Sequence, residues 1–204
     1  HNMILVVGGN FENDTIKTLI KNSKFNSAFE KAAPIPFFVK EDYPFSKREI
    51  EQEGKTNSTH FNLRFATVPL ASPDLYPLDL LEFILGNGRD SILYKRLVDE
   101  KKLAYSVSCA SYTPLETHGY FSITAEIDYK NKDLVKKEII DSLTKIKKGK
   151  LTDKQLNRAK KQKMAEDILG INTIEDKTTK VGQSMLFGHS LEFYEDYIEN
   201  CKQT

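Results

Sequence analysis

The chain has 204 residues, of which 30 are basic and 29 acidic, so its formal net charge is +1. Such a balance provides no excess of positive charge that would attract nucleic acid or an anionic membrane. The apolar runs, such as Met3–Val7, are far too short to span a bilayer. The length suits one well-cored domain, or one domain with a piece of another. We therefore expect a globular protein with neither nucleic acid nor a membrane as a partner.

The first part of the chain contains two short elements and a long irregular stretch. Met3–Val7 has the apolar character of a β-strand and ends at a glycine pair. An apolar stripe at helical spacing predicts a helix over Thr15–Lys21. Residues 31–58 show neither the helical nor the strand pattern of apolar residues, because prolines and a glycine interrupt the stretch and charges cluster in it. This stretch is typical of a linker between domains.

The middle of the chain predicts a strand, two helices and a hairpin. His60–Thr67 alternates between apolar and polar residues, as a half-buried strand does. Apolar residues at helical spacing predict a helix over Pro73–Gly86, and a second helix that begins near Ser91 and runs into a strand. The strands Leu103–Thr113 and His118–Asp128 follow each other closely enough to form a hairpin.

The last part of the chain is predicted to be helical. Asp133–Lys148 is amphipathic and ends at Gly149, a residue type that accepts the left-handed turn after a helix. A capping box at Thr152–Gln155 predicts the start of the next helix. A second capping box at Asn172–Glu175 predicts the start of another. Because the strands are followed by a run of helices, we expect an α+β fold. Its antiparallel or mixed sheet would carry helices on one face.

The sequence contains no familiar catalytic motif. Gly-x-Ser-x-Gly, the nucleophile elbow of α/β-hydrolases, does not occur. No two of the histidines lie within five residues of each other: His1, His60, His118 and His189. We expect no catalytic and no metal-binding residue in this chain; a zinc site assembled from scattered ligands is the alternative. Cys109 and Cys201 are expected to be reduced structural cysteines rather than a disulfide or a metal-binding pair.

Ser91–Ser106, with the sequence SILYKRLVDEKKLAYS, is the most informative segment. It resembles S-x-L-[FY]-x-x-L-R-x-x-x-x-L-A-Y-S-V, which marks the C-terminal-type, non-zinc-binding domain of the pitrilysin/insulinase family of zinc metallopeptidases. That family includes the mitochondrial processing peptidases and their relatives in respiratory-complex cores. Weaker matches follow the family's order on both sides of this segment, at 2–11, 74–81, 86–88 and 151–160.

The resemblance implies a division of the chain. Residues 1–30 would be the last strand and helix of a preceding domain, 31–58 the linker between domains, and 59–204 a C-terminal-type domain that lacks its final helix and strand. Residues 3–9 would then be a strand without its own sheet. We expect this strand to pair with a sheet edge in the same molecule or in a neighbour, which would give a strand-exchanged homodimer.

The resemblance also implies one site residue. In zinc peptidases of this type, an arginine and a tyrosine of the marker segment hold the substrate backbone near the zinc. The tyrosine is kept here as Tyr105, whereas Val98 occupies the arginine position and Lys102 stands where glycine is usual. Arg96 lies on a different helix face and cannot simply substitute. Tyr105 is therefore the candidate substrate-binding residue; a strand aromatic that packs against the helix is the alternative interpretation.

The function that the resemblance implies is that of a non-catalytic half. The family's zinc motif, H-x-x-E-H, is absent from this chain, so zinc would be held by the parent protein and the fragment alone would be inactive. The chain would form one wall of a chamber for unfolded peptides, and an interface with the N-terminal zinc-binding domain or a homologous subunit. The alternative is a purely structural assembly subunit that resembles the respiratory-complex core proteins.

Overall fold

The computed structural model describes residues 4–24, 46–115, 117–188 and 190–204. The helices are α1 (Asn13–Asn22), α2 (Leu75–Leu85), α3 (Lys132–Lys147), α4 (Asp153–Leu169), α5 (Ile174–Gln183) and α6 (Phe193–Gln203). The strands are β1 (Thr59–Ala66), β2 (Ala104–Tyr112) and β3 (Tyr120–Ile127). Two π-helical segments, Tyr94–Glu100 and Ser184–Gly188, and a 3₁₀ turn at Tyr129–Asn131 also occur. Much of the predicted linker, 31–45, and Met3 lie outside the described residues.

The three strands form one antiparallel sheet in the order β1–β3–β2. β1 pairs with β3 from Thr59 opposite Ile127 to Ala66 opposite Tyr120. β2 and β3 are antiparallel neighbours that follow each other in sequence, which is the predicted hairpin. The strand at His60–Thr67 and the hairpin are therefore confirmed, and the fold is α+β as the pattern predicted.

The hydrophobic core lies on one face of this sheet. Burial alternates along β1, so Phe61, Leu63 and Phe65 point to the core while their neighbours are exposed. Helical elements cover that face and bury a common set of side chains: Leu85, Leu93, Leu97, Val107, Phe121, Ile123, Ala125, Ile127, Val135 and Ile139. Because an antiparallel sheet needs only one covered face, the other face can be exposed to solvent.

The chain divides into two units by its internal contacts: His1–Lys40 with Asp167–Asp196, and Glu41–Glu166 with Tyr197–Thr204. The sheet and the core around it belong to the second unit. In the first unit, the helices α1 and α5 contain no buried residue. In the parts of the chain described here, no helix combines the length and apolar character that crossing a membrane requires.

The start of the chain differs from the expectation. Residues 4–8 are not in a strand, so the strand predicted over Met3–Val7 is wrong for the part that the structure describes. A strand needs a neighbour to satisfy its backbone donors and acceptors, and the described sheet pairs only β1, β3 and β2. Instead, Gly8 lies against Thr178 and Ile174 of α5 within the first unit.

The segment that carries the marker sequence ends in an unusual backbone turn. Tyr94–Glu100 is π-helical, and the Lys101 N–H donates to the Arg96 carbonyl at 3.2 Å. Lys102 then takes a left-handed conformation with φ of 53°. The next N–H, that of Leu103, bonds back to the Leu97 carbonyl at 2.8 Å. This conformation favours glycine at the end of a helix, which is a physical reason for the glycine that is usual at this position.

Replacing Lys102 with glycine is expected to raise the free energy of unfolding by about 0.5–1 kcal/mol, because a Cβ in the left-handed region is strained. Lys102 is exposed, so little packing is lost with its side chain. Lys102→Ala is the matched control, since it removes the same side chain but keeps the Cβ and should give no gain. Urea unfolding of the three proteins measures the difference. Equal changes in both variants would contradict the backbone explanation.

Candidate functional site

The face of the sheet opposite the core is exposed and largely polar. The outward residues of β1 and β2 are all exposed. They form rungs with the outward residues of β3, because paired strands align their side chains on each face. The rungs are His60–Glu126–Ser106, Asn62–Thr124–Ser108, Arg64–Ser122–Ala110 and Ala66–Tyr120–Tyr112. We call this surface the open face.

Tyr105 lies at the end of the open face where β2 begins. The register shifts between Ala104 and Ser106, which leaves Tyr105 as an extra residue, 62% exposed. Such irregularities redirect side chains and are common beside functional sites. The Tyr105 hydroxyl donates to Asp128 Oδ1 at 2.8 Å, and this bond to a carboxylate raises the pKa of Tyr105. The single O–H of the phenol is therefore engaged by Asp128, and its oxygen remains able to accept a hydrogen bond.

Val98, at the position where the resemblance places an arginine, faces the main core. Val98 is half-buried and packs against the main core beside the buried Leu97. The nearby Arg96 donates through Nε to Glu138 at 2.8 Å and through a terminal nitrogen to Glu100 at 3.2 Å. These bonds, first the one to Glu138, raise the pKa of Arg96. Its guanidinium is thus occupied between the π-helical segment and α3, and Tyr105 has no arginine partner from this helix.

Sequence reasoning missed a second group of residues on the open face. The Arg64 guanidinium lies over the Tyr120 ring, 4.7 Å from its centroid. The Tyr120 and Tyr112 rings are 5.1 Å apart between centroids, with 32° between their planes. Alternation along each strand indicates which residues point outward, but it does not reveal which of them meet across strands. These three side chains form a cationic and aromatic patch at the opposite end from Tyr105.

The described histidines do not form a metal site. His60 is exposed on the open face, and His118 Nδ1 lies 3.2 Å from the Thr67 carbonyl oxygen. No group of three or more His, Cys, Asp or Glu that could hold a metal ion exists among the residues that the structure describes. His1 and His189 lie outside those residues. The donors in the described parts of the chain therefore do not fit a zinc ion.

The buried cysteines are structural. Neither Cys109 nor Cys201 forms a disulfide, and both are buried; Cys109 packs in the main core. Burial, followed by the nearby carboxyl of Glu82, raises the pKa of the Cys109 thiol to about 12. A thiol with such a pKa is a poor nucleophile at neutral pH.

Comparison with known proteins assigns the chain to a family. The model of the peptidase M16 inactive domain matches residues 1–163. The chain belongs to this family. It is similar to the zinc protease PqqE of Helicobacter pylori, with 26% identity over 178 residues that make up 86% of this chain and 40% of that protein. The family is the one that the marker segment Ser91–Ser106 predicted, so the resemblance is confirmed.

Solved structures share the fold of this M16 inactive domain. The crystal structure of a protease from Helicobacter pylori matches with a TM-score of 0.84 and 22% identity, over 97% of this chain and 48% of that one. A chain in the structure of complex III2 from Candida albicans, Inz-5 bound, matches with a TM-score of 0.62 and 16% identity. The match covers 74% of this chain and 38% of that one. The chain thus spans less than half the length of these relatives.

Proposed function

We propose that this M16 inactive domain is the non-catalytic half of a zinc metallopeptidase and forms one wall of a chamber that holds unfolded peptides. The open face is the observation that supports this function most directly. It presents hydrogen-bonding side chains from all three strands, with Tyr105 exposed at one end. An extended peptide has an unpaired donor and acceptor at nearly every residue, so a polar and accessible sheet face suits it.

The catalytic partner would be the N-terminal zinc-binding domain of the parent protein or a homologous subunit. Since the described donors of this chain do not fit zinc, the metal and its activated water would be supplied by that partner. The role of this chain would be to hold the peptide while the partner cleaves it. Within this arrangement the single O–H of Tyr105 stays bonded to Asp128, and the oriented phenol oxygen would accept a hydrogen bond from an N–H of the peptide.

Tyr105→Phe is expected to weaken the binding of an unfolded peptide about 3- to 10-fold, because one hydrogen bond is lost without a change of shape. Fluorescence anisotropy with a labelled, disordered peptide and the 204-residue chain measures the affinity. Tyr129→Phe is the matched control, since Tyr129 is 60% exposed and lies outside the strands. Equal affinity of the Tyr105 variant and the wild type would show that the Tyr105 hydroxyl does not contribute to peptide binding.

A purely structural assembly subunit is the second candidate, supported by the similar fold of the complex III2 chain. Such a subunit would bind a homologous partner and show no affinity for unfolded peptides, so the same titration separates the two functions. A strand-exchanged homodimer also stays a proposal. Light scattering of the intact chain and of a variant without residues 1–12 tests it, and a monomer in both cases would rule it out.

A further inference from the structure

Arg64 is held in a fixed orientation on the open face. Its Nε donates to Asn62 Oδ1 at 3.1 Å, and Asn62 Nδ2 in turn donates to Thr124 Oγ1 at 2.8 Å. The guanidinium carbon lies 4.7 Å from the centroid of the Tyr120 ring. The two hydrogen bonds in series and the stacked ring thus restrict the orientation of the Arg64 side chain, with contacts contributed by both β1 and β3. A guanidinium that is already oriented loses less entropy when it binds an anion.

The guanidinium of Arg64 has no anionic partner within the described parts of the chain, although other cations on the surface do. Lys132 and Lys136, for example, pair with glutamates at 2.9 and 3.0 Å. The acidic residue of the same face is Glu126, which accepts from Ser58 Oγ at 2.5 Å. It stands opposite His60, two rungs from Arg64, or about 13 Å along the strand. The face is therefore cationic at one end and acidic at the other.

An aromatic surface adjoins the cationic end. Tyr112 is 53% exposed, and its ring lies against that of Tyr120 at 5.1 Å between centroids. Tyr120 itself is half-buried between Arg64 and Tyr112. Exposed tyrosines offer a large apolar contact area at a low cost in side-chain entropy. A ligand whose carboxylate reaches Arg64 would therefore find an apolar contact one rung away.

We propose that Arg64, Tyr120 and Tyr112 form a subsite that binds an acidic side chain of an extended peptide and an aromatic side chain two residues away in the same peptide, because alternate side chains of an extended chain point to the same side. The subsite rests on the proposed function of the open face as a peptide-binding wall, and it adds a preference to that function. The terminal nitrogens of an arginine form a fork that matches a carboxylate in two parallel hydrogen bonds. The acidic end at Glu126 would repel the same side chain, so the charge of the face also selects the direction of the peptide.

The test uses two peptides that differ only in the charge of one side chain. Both are disordered, acetylated and amidated and carry a neutral fluorophore; one contains Glu-Ala-Phe where the other contains Gln-Ala-Phe. The blocked ends ensure that only the side-chain carboxylate is compared. Anisotropy titrations with the full 204-residue chain should show about 3- to 10-fold tighter binding of the Glu peptide, as for a partly exposed, bidentate arginine pair.

Variants of the chain test whether Arg64 causes the preference for the Glu peptide. Arg64→Gln should bring the ratio of the two affinities close to one, and Arg64→Lys should keep only part of it, because lysine has no fork. Arg89→Gln is the matched control, since Arg89 is exposed in the loop after α2 and the same charge is removed. Thr124→Val, which leaves Asn62 without its partner, should lower the ratio without abolishing peptide binding.

The outcomes distinguish failure of the subsite from failure of the proposed function. Equal affinity of both peptides for the wild type would overturn the subsite and leave the peptide-binding wall intact. A ratio that persists in Arg64→Gln would place the carboxylate elsewhere and would also overturn it. No binding of either peptide would overturn the proposed function, and the subsite with it. Thermal melting of every variant checks that the substitutions leave the fold unchanged.

Discussion

Replacing Leu97 with alanine is expected to lower the free energy of unfolding by about 2–5 kcal/mol. Leu97 is fully buried, at 0% exposure, in the core between the sheet and the helical layer. The substitution removes apolar contacts and leaves a cavity that the close-packed neighbours fill only in part. Since Leu97 belongs to the marker segment, the measurement also tests whether this segment is essential to the fold.

The control for this prediction is Leu134→Ala. Leu134 is 52% exposed on α3, so the same chemical change should alter the free energy of unfolding by less than about 0.5 kcal/mol. Urea titrations followed by circular dichroism give both values, and similar slopes would show that the unfolded states are comparable. Equal losses in the two variants would mean that Leu97 is not part of the core.

Local patterns in the sequence predicted much of the fold. The alternation that identified β1 reappears as alternating burial. The capping box at Thr152 is present, with Gln155 N donating to Thr152 Oγ1 at 3.3 Å and Thr152 N to Gln155 Oε1 at 3.0 Å. The second box lies one residue later than predicted, with Thr173 as the cap and Asp176 returning the bond. Asn172 and Thr173 are both good caps, each with an acid three residues later, so the sequence did not distinguish them.

The parts of the candidate site that the sequence did not predict depend on contacts between residues that are distant in sequence. Asn62 and Thr124, which hold Arg64 in place, are 62 residues apart. Periodicity shows that each points outward, but the register between β1 and β3 arises only in the folded sheet. The π-helical geometry was also hidden, because apolar residues such as Leu93 and Leu97 fit an ordinary helix equally well. The substrate role of Tyr105 came from the family resemblance and stays a prediction.

Replacing Glu138 with glutamine is expected to lower the free energy of unfolding at neutral pH by about 1–3 kcal/mol. Glu138 is buried, at 7% exposure. Its carboxylate accepts from Arg96 Nε at 2.8 Å and from Lys101 Nζ, and so connects the π-helical segment to α3. Glutamine keeps the shape of the side chain but offers no charge to the two cations. Glu100→Gln is the control, because Glu100 contacts the same Arg96 from a mostly exposed position.

The same variant should change how stability depends on pH. The hydrogen bond from Lys101, and then that from Arg96, hold the pKa of Glu138 below the ordinary value of 4.5, against the opposing effect of burial. A carboxyl whose pKa is lower in the folded state stabilises the fold fully above the unfolded value. This contribution is lost as the pH falls through the folded value. The difference between the wild type and Glu138→Gln should therefore be constant near neutral pH and shrink below about pH 4.5. Urea unfolding from pH 7 to pH 3 measures it, and a difference that stays constant into acid would show that Glu138 acts through its shape rather than its charge.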